Sequence, residues 1–344
     1  MPTHTDHDVV VIGGGAAGLS AATALARSMR SVVVVDAGEP RNARAAATHN
    51  VLGREGTAPA DLLRLARADA ERYGVRITVG RATAATRQGD RIAVSLEDGS
   101  RLRGRRLVLA SGAVDELPDV PGLRERWGRD VVHCPYCHGW EVRGQRIGVL
   151  GSGAMAVHQV LLFRQLSDDV TLFRHTMPEP SDEEWERLAA RGIRVVEGPV
   201  ARVLVDDDRL TGVELDDGHV FPLDAVAVQT RVVARADVFE HLGGEVAEHP
   251  SGMGRHVPAD PTGRTALPGV WAAGNVTDIG AQVMSSAAAG VMAGAAVNMD
   301  LIEEQTAAVV RARREPFSPE AEREVTERVL GDRRHGFEPA RDRA

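Results

Sequence analysis

Along this chain the apolar positions fall into a repeating order: a β-branched run, a glycine-rich turn, then a helix of small residues. Asp8-Val9-Val10-Val11-Ile12 is a nearly unbroken apolar run, suited to a parallel strand covered on both faces. It enters Gly13-Gly14-Gly15-Ala16-Ala17-Gly18, a helix from Leu19 to Ala26, and a second strand, Val32 to Val35, that ends at Asp36. The order recurs at Ile147-Gly148-Val149-Leu150. It passes Gly151-Ser152-Gly153-Ala154-Met155-Ala156 and an apolar helix to Phe163, and closes with a strand from Val170 to Phe173. Between the two units, Leu62, Leu65, Ala66 and Tyr73 share one side of a helix predicted over Thr57 to Tyr73. Strands are predicted at Val75 to Val79, Ile92 to Leu96 and Leu107 to Ala110. A short strand, Gly269-Val270-Trp271-Ala272-Ala273-Gly274-Asn275, leads to a last small-residue helix from Gln282 to Val297.

Two strand–turn–helix–strand units of this kind predict an α/β protein with two Rossmann-like, three-layer ββα dinucleotide-binding domains. In the first unit the glycines have separable tasks. Gly13 permits the turn, Gly15 lets backbone approach a pyrophosphate, and Gly18 lets helix and strand pack closely. The helix amides, beginning at Ala16 and Ala17, bind phosphate, and Asp36 accepts a hydrogen bond from a ribose. Asp119-Val120-Pro121-Gly122 reads as a hinge, with a second crossing near Gly243 to His249.

A length of 344 residues accommodates two domains, and 43% hydrophobic residues with 36 glycines fit an α/β protein rich in tight turns. A formal charge of -8 gives no concentrated basic surface for nucleic acid. Met1 to Asp8 is polar, without the apolar core of a secretory leader, and no uninterrupted apolar run reaches the length of a membrane span. Ala287 to Val297 is broken by glycine and reads as a buried helix. A cytoplasmic location without membrane or nucleic-acid partners is expected. Beyond Arg311 the chain is charged, with Ser318 and Pro319 placed as N-cap and first residue of a short amphipathic helix.

The two cysteines stand together in His133-Cys134-Pro135-Tyr136-Cys137-His138. Such a pair is a redox couple, half of a metal site or a haem attachment point.

With the Gly13 fingerprint, the strand into Ala110-Ser111-Gly112-Ala113 and Ala272-Ala273-Gly274-Asn275-Val276 near the end, this pair ahead of a second glycine turn resembles the low-molecular-weight thioredoxin reductases, of the pyridine nucleotide-disulfide oxidoreductase class II type, over about residues 8 to 311. The resemblance implies an FAD-binding domain from residues 1–119 and 248–314, an inserted NAD(P)-like domain, 120–247, bearing the cysteines, and a charged tail, 315–344. It also implies a homodimer. Gly13, Gly15, Gly18, Asp36, Gly274 and Asn275 would contact FAD, with Asp278 and Gln282 near the flavin; Asn275 stands where those reductases carry aspartate.

Two departures are informative. Reductases that use NADPH follow the third strand of the second unit with a His-Arg-Arg-type cluster for the 2'-phosphate. Here the residues are Arg174-His175-Thr176, followed by Met177-Pro178-Glu179-Pro180. Each lost charge-assisted bond is worth on the order of 1.5 to 3 kcal/mol. The acidic pair after the turn is replaced by His158-Gln159. Both changes speak against NADPH binding, unless a different residue set holds it. In turn, Cys134-Pro135-Tyr136-Cys137-His138-Gly139 resembles the flavoprotein dithiol oxidases that close the disulfides of holomycin, gliotoxin and related natural products, and His138 replaces the acid of typical reductases.

Haem attachment belongs to exported proteins, and adjacent residues such as His133 and Cys134 seldom both reach one tetrahedral zinc, so no metal is expected. In the redox reading a dithiol substrate attacks the disulfide at Cys134, Cys137 faces the flavin by family analogy, His138 acts as base, and oxygen accepts the electrons. The alternatives are an NADPH-dependent thioredoxin-disulfide reductase and a non-enzymatic flavin redox sensor. No role is readable for His133 or the tail; His49-Asn50 could line the flavin pocket, though spacing does not show it.

Overall fold

The computed structural model describes residues 5–314 and 319–330. The chain divides into two compact units, residues 1–296 and 297–344.

In the first unit, five parallel strands run in the order Arg76–Val79, Val32–Asp36, Thr5–Ile12, Arg101–Leu109 and Val270–Ala272. Arg101–Leu109 is shared. Its second half pairs with Val270–Ala272, while its first half pairs antiparallel with Arg91–Leu96, which continues to Ala82–Gln88. The predicted strand at Leu107 therefore starts six residues earlier, at Arg101. Its first six residues include four arginines, Arg101, Arg103, Arg105 and Arg106, and the apolar run marks only the fully covered end. The helices Ala16–Arg27 and Pro59–Arg72 follow the predicted positions closely.

A second parallel sheet has the order Arg194–Val196, Val170–Phe173, Ile147–Leu150, Ala225–Val228, Val131–Val132. Its central strands are wholly buried, and Val149, Leu172 and Ala227 pack with Val157, Val160 and Phe163 of the helix Ala156–Phe163. An antiparallel sheet, Val200–Asp206, Arg209–Leu215 and Val220–Pro222, closes a neighbouring core through Val203, Val213 and Phe173.

The chain crosses between these sheets on Ala113–Glu116 and Arg231–Ala234, which pair antiparallel with each other. The return comes ahead of Gly243: Ala236, Val238 and Phe239 already pack in the core of Val10, Ile12 and Val94. Composition misplaced it because the glycines at 243 and 244 follow, rather than precede, the helix Asp237–His241.

The last helix of the core, Val283–Arg314, is covered on one side only. Gly290 and Gly294 let it approach the first helix so closely that an added Cβ would lie 2.1 Å from the Ala17 carbonyl and 2.8 Å from that of Ala21. Met284, Val291 and Met292 are exposed, which corrects the expectation of a buried helix. By length and composition this helix could cross a membrane, a test that core helices also pass. In the second unit it continues to Arg314, and a helix spans Pro319–Leu330 with Pro319 first, as predicted; Ser318 lies outside the described residues.

Candidate active site

A cavity of about 730 Å³ opens at the C-terminal ends of the first parallel sheet. That is the place where open α/β sheets bind ligands. Gly13, at φ +108°, turns so tightly that an added Cβ would lie 2.1 Å from the Ala110 carbonyl. A Cβ added at Gly15, by contrast, would meet nothing within 4 Å. The helix starts at the next residue, Ala16, with no side chain capping its free amides and no acid in its first turn. Those unpaired N–H groups are a ready anion site. Gly18 stays off the cavity wall: its α-carbon presses on the Gly13 carbonyl, as close packing of helix and turn requires.

Asp36 lies on the wall, but its carboxylate is already used. Oδ1 accepts from the amides of Gly14 (3.2 Å) and Gly38 (3.1 Å), and Oδ2 pairs with Arg67. At the other end, Gly274 adopts φ +78° beside Ala17. The Asn275 amide donates to the carbonyls of Asp278 (3.0 Å) and Ala281 (2.9 Å), so it braces the loop that enters the last core helix. Gln282 is on the wall. Asp278 is not, its Oδ1 accepting from Gly280 N at 3.1 Å. An uncapped helix start, open space beside Gly15 and a cavity of about 730 Å³ suit a pyrophosphate cofactor such as FAD.

Cys134, Cys137 and His138 line the same cavity. Cys134 caps the four-residue helix Pro135–His138, and the Cys137 thiol donates to its sulfur at 2.8 Å. That bond, with help from the backbone N–H groups of Cys137 and Tyr136 and from Arg41, overcomes burial and brings Cys134 down to about 7. Donating to Cys134, and buried, Cys137 is pushed up. The pair is therefore unequal: the first sulfur holds negative charge near neutral pH, and the second keeps its proton. His138 is lowered chiefly by burial, so it is neutral and able to accept a proton. His133 is also lowered by burial; its Nδ1 lies 3.1 Å from the Val228 carbonyl and its own carbonyl accepts from Gln159.

Arg41 has no counterpart in the sequence reading. Its guanidinium grips Asp115 through two bonds of 2.6 Å and donates to the Ile279 carbonyl, while Thr230 donates to the same carboxylate at 2.8 Å. Burial alone would raise Asp115, but these donors hold it below the ordinary carboxylate value. Arg41 and Asp115 both line the cavity, and the arginine is the cation that acts on both cysteines. Separated by 74 positions, the two carry no spacing that would have joined them.

The second glycine turn is built differently. After Gly153 the helix does not begin until Ala156. The amides of Thr176 and Met177 fold back onto the Gly151 carbonyl, and Met177 Sδ would lie 2.6 Å from a Cβ at Gly151. Arg174 pairs with Glu197 (2.7 Å) and with Glu179, and lies over the Trp185 ring. His175 accepts from Val200 N. Of the replaced acidic pair, His158 is exposed, whereas Gln159 is buried and its amide holds the His133 carbonyl at 3.0 Å.

Comparison with known proteins agrees with this geometry. The family described as pyridine nucleotide-disulphide oxidoreductase matches residues 7–294. Thioredoxin reductase tcpT of Claviceps purpurea is 34% identical, over 88% of this chain and 97% of its own. Thioredoxin reductase sirT of Leptosphaeria maculans is 31% identical over 88% and 96%. The crystal structure of HlmI superposes with a TM-score of 0.86 at 45% identity, covering 92% of this chain and all of that one.

Proposed function

The chain belongs to the pyridine nucleotide-disulphide oxidoreductase family, and we propose that within it this protein is an FAD-dependent oxidase that converts a small-molecule dithiol into its intramolecular disulfide. The observation that carries the reading is the contrast between an open first site joined to the cysteine pair and a second site whose Arg174 is paired with Glu197 and Glu179 and whose His175 accepts from Val200 N. FAD, when bound, supplies a two-electron acceptor that passes its electrons to oxygen and yields hydrogen peroxide.

The residues of the chain do the thiol chemistry. His138 takes the proton of the first substrate thiol, and the resulting thiolate attacks Cys134, forming a mixed disulfide as the Cys134–Cys137 bond breaks. The second substrate thiol, once deprotonated, attacks the substrate sulfur of that mixed disulfide. The substrate leaves as a disulfide, and Cys134 leaves as a thiolate. Its low thiol pKa, about 7, makes it a good leaving group. Arg41, fixed by Asp115, stabilises negative charge on the pair. We place the reaction in the cytoplasm and in a homodimer; the exposed apolar Met284, Val291 and Met292 support the second of these.

The test is peroxide release from dithiothreitol under air without pyridine nucleotide. Wild type should turn over, and Cys137→Ser should lose on the order of 10³-fold or more. In the reduced protein, alkylation of Cys134 by iodoacetamide should rise with pH to a midpoint near 7 and fall about tenfold per pH unit below it. The names of the two fungal relatives favour a second reading, an NADPH-dependent thioredoxin-disulfide reductase. It requires turnover of NADPH with a protein disulfide.

A further inference from the structure

Asn50 does not line the cavity that holds the cysteine pair, although its neighbour His49 does. It sits in a closed loop. Thr48 and Thr57 bridge antiparallel, the Thr48 hydroxyl donates to the Thr57 carbonyl at 2.6 Å, and Gly56 N donates to Thr48 O. Within the loop, Glu55 Oε2 accepts from Asn50 N at 2.9 Å, and Oε1 lies 2.6 Å from His49 Nδ1. Asn50 itself is at φ +59°, a left-handed conformation that asparagine tolerates. From there its side-chain amide donates to the Tyr136 carbonyl at 3.0 Å, across 86 positions of sequence. Tyr136 stands between the two cysteines. Their helix, Pro135–His138, is a single turn, which leaves the Tyr136 carbonyl among the unpaired groups at its C-terminal end. Asn50 supplies the donor.

That carbonyl and the Cys137 N–H belong to one planar peptide, so fixing the first fixes the direction of the second. On the inner side the Cys137 N–H donates to the Cys134 carbonyl at 3.2 Å, and it also favours negative charge on the Cys134 sulfur. The peptide ahead of Cys134 is held in the same manner, by the Gln159 amide donating to the His133 carbonyl at 3.0 Å. Each cysteine therefore follows a carbonyl held by a side-chain amide, one from the loop 48–57 and one from the helix Ala156–Phe163. We propose that Asn50 is a positioning residue for the redox pair: it orients the Tyr136–Cys137 peptide so that its N–H serves Cys134, and so steadies the thiolate that forms there when the disulfide opens. This rests on the dithiol-oxidase reading, in which Cys134 receives the substrate sulfur and later leaves as a thiolate. The other groups that bear on Cys134 are Cys137, whose thiol donates to its sulfur, the Tyr136 N–H, and Arg41. None of them belongs to the loop that carries Asn50.

The test compares FAD-loaded wild type with Asn50→Gly. Glycine adopts a positive φ without cost, so the loop keeps its path and only the side-chain donor is lost. In the reduced protein, the pH midpoint for alkylation of Cys134 by iodoacetamide should move up by about half a pH unit, which slows the reaction about threefold below it. The second readout is the equilibrium with glutathione, without oxygen. There two glutathione thiols give two electrons and two protons to the Cys134–Cys137 disulfide and become glutathione disulfide. Because the variant's reduced form is less well stabilised, this equilibrium should move about two- to threefold toward the protein disulfide at pH 8. Asn50→Ala, which also lacks the donor, should move both readouts the same way. An unchanged midpoint and equilibrium in either variant overturns the proposal. Absence of peroxide release from dithiothreitol in wild type overturns the oxidase reading instead, and the alkylation midpoint still decides the role of Asn50.

Discussion

In the first glycine turn the helix starts at Ala16, directly after Gly15, whereas in the second it starts at Ala156, after two further residues of turn. In the first, a Cβ added to the second glycine, Gly15, would meet open space; in the second, one added to Gly153 would lie 3.0 Å from Gln229 Oε1, and one added to Gly151 would meet Met177. The arginines beside the two sites differ in the same sense. Arg41 is bound to a buried acid that belongs to the cavity, while Arg174 is bound to two exposed ones. Two similar fingerprints thus specify two similar folds, yet only the first leaves open space where a Cβ on its second glycine would stand, the room a pyrophosphate needs.

The arginines give the largest expected effect. Arg41→Met strands a buried carboxylate, and such a loss costs roughly 3 to 5 kcal/mol. Arg174→Met removes a partner from exposed acids and should cost no more than about 1 kcal/mol. Urea unfolding of the two variants measures the gap. The sign with pH is fixed by Asp115, whose folded pKa lies below its ordinary value. Its contribution is present above the unfolded pKa and disappears as pH falls through the folded one, so wild type and Arg41→Met should converge in acid. Equal destabilisation by the two variants at neutral pH would erase the contrast between the sites.

The glycines give the smaller effect. Gly15→Ala has space in the fold but intrudes where backbone must approach phosphate, and should weaken FAD binding at least about tenfold with the far-ultraviolet spectrum unchanged. Gly153→Ala should leave FAD affinity and dithiol turnover as they are. Equilibrium dialysis against FAD compares them, and a loss of FAD from Gly153→Ala would place the cofactor in the wrong unit.

Legibility in the sequence followed the range of each interaction. The strand–turn–helix order at residues 8–36 and 147–173 is local, set by β-branched runs and glycines, and the helices and strands appear where that pattern puts them. Arg101–Leu109 was half visible, because only its buried end is apolar on both faces. The helix after Gln282 looked buried because its small residues are apolar, but glycine at 290 and 294 serves contact on one side and says nothing of the other. The cysteine pair and His138 were legible as neighbours in sequence. Arg41, Asp115 and Thr230 were not, since their bonds join residues 74 and 115 positions apart. Asp36 was identifiable as an acid at a strand end, but not its engagement by Arg67 from the next helix.

The central claim is that electrons enter through Cys134 and Cys137 and not through the second glycine unit. Oxygen-free FAD-loaded protein, mixed in a stopped-flow instrument with either dithiothreitol or NADPH at micromolar concentration, tests it directly. The account predicts that the dithiol bleaches the flavin absorbance and that NADPH leaves it unchanged. Rapid bleaching by NADPH would contradict it.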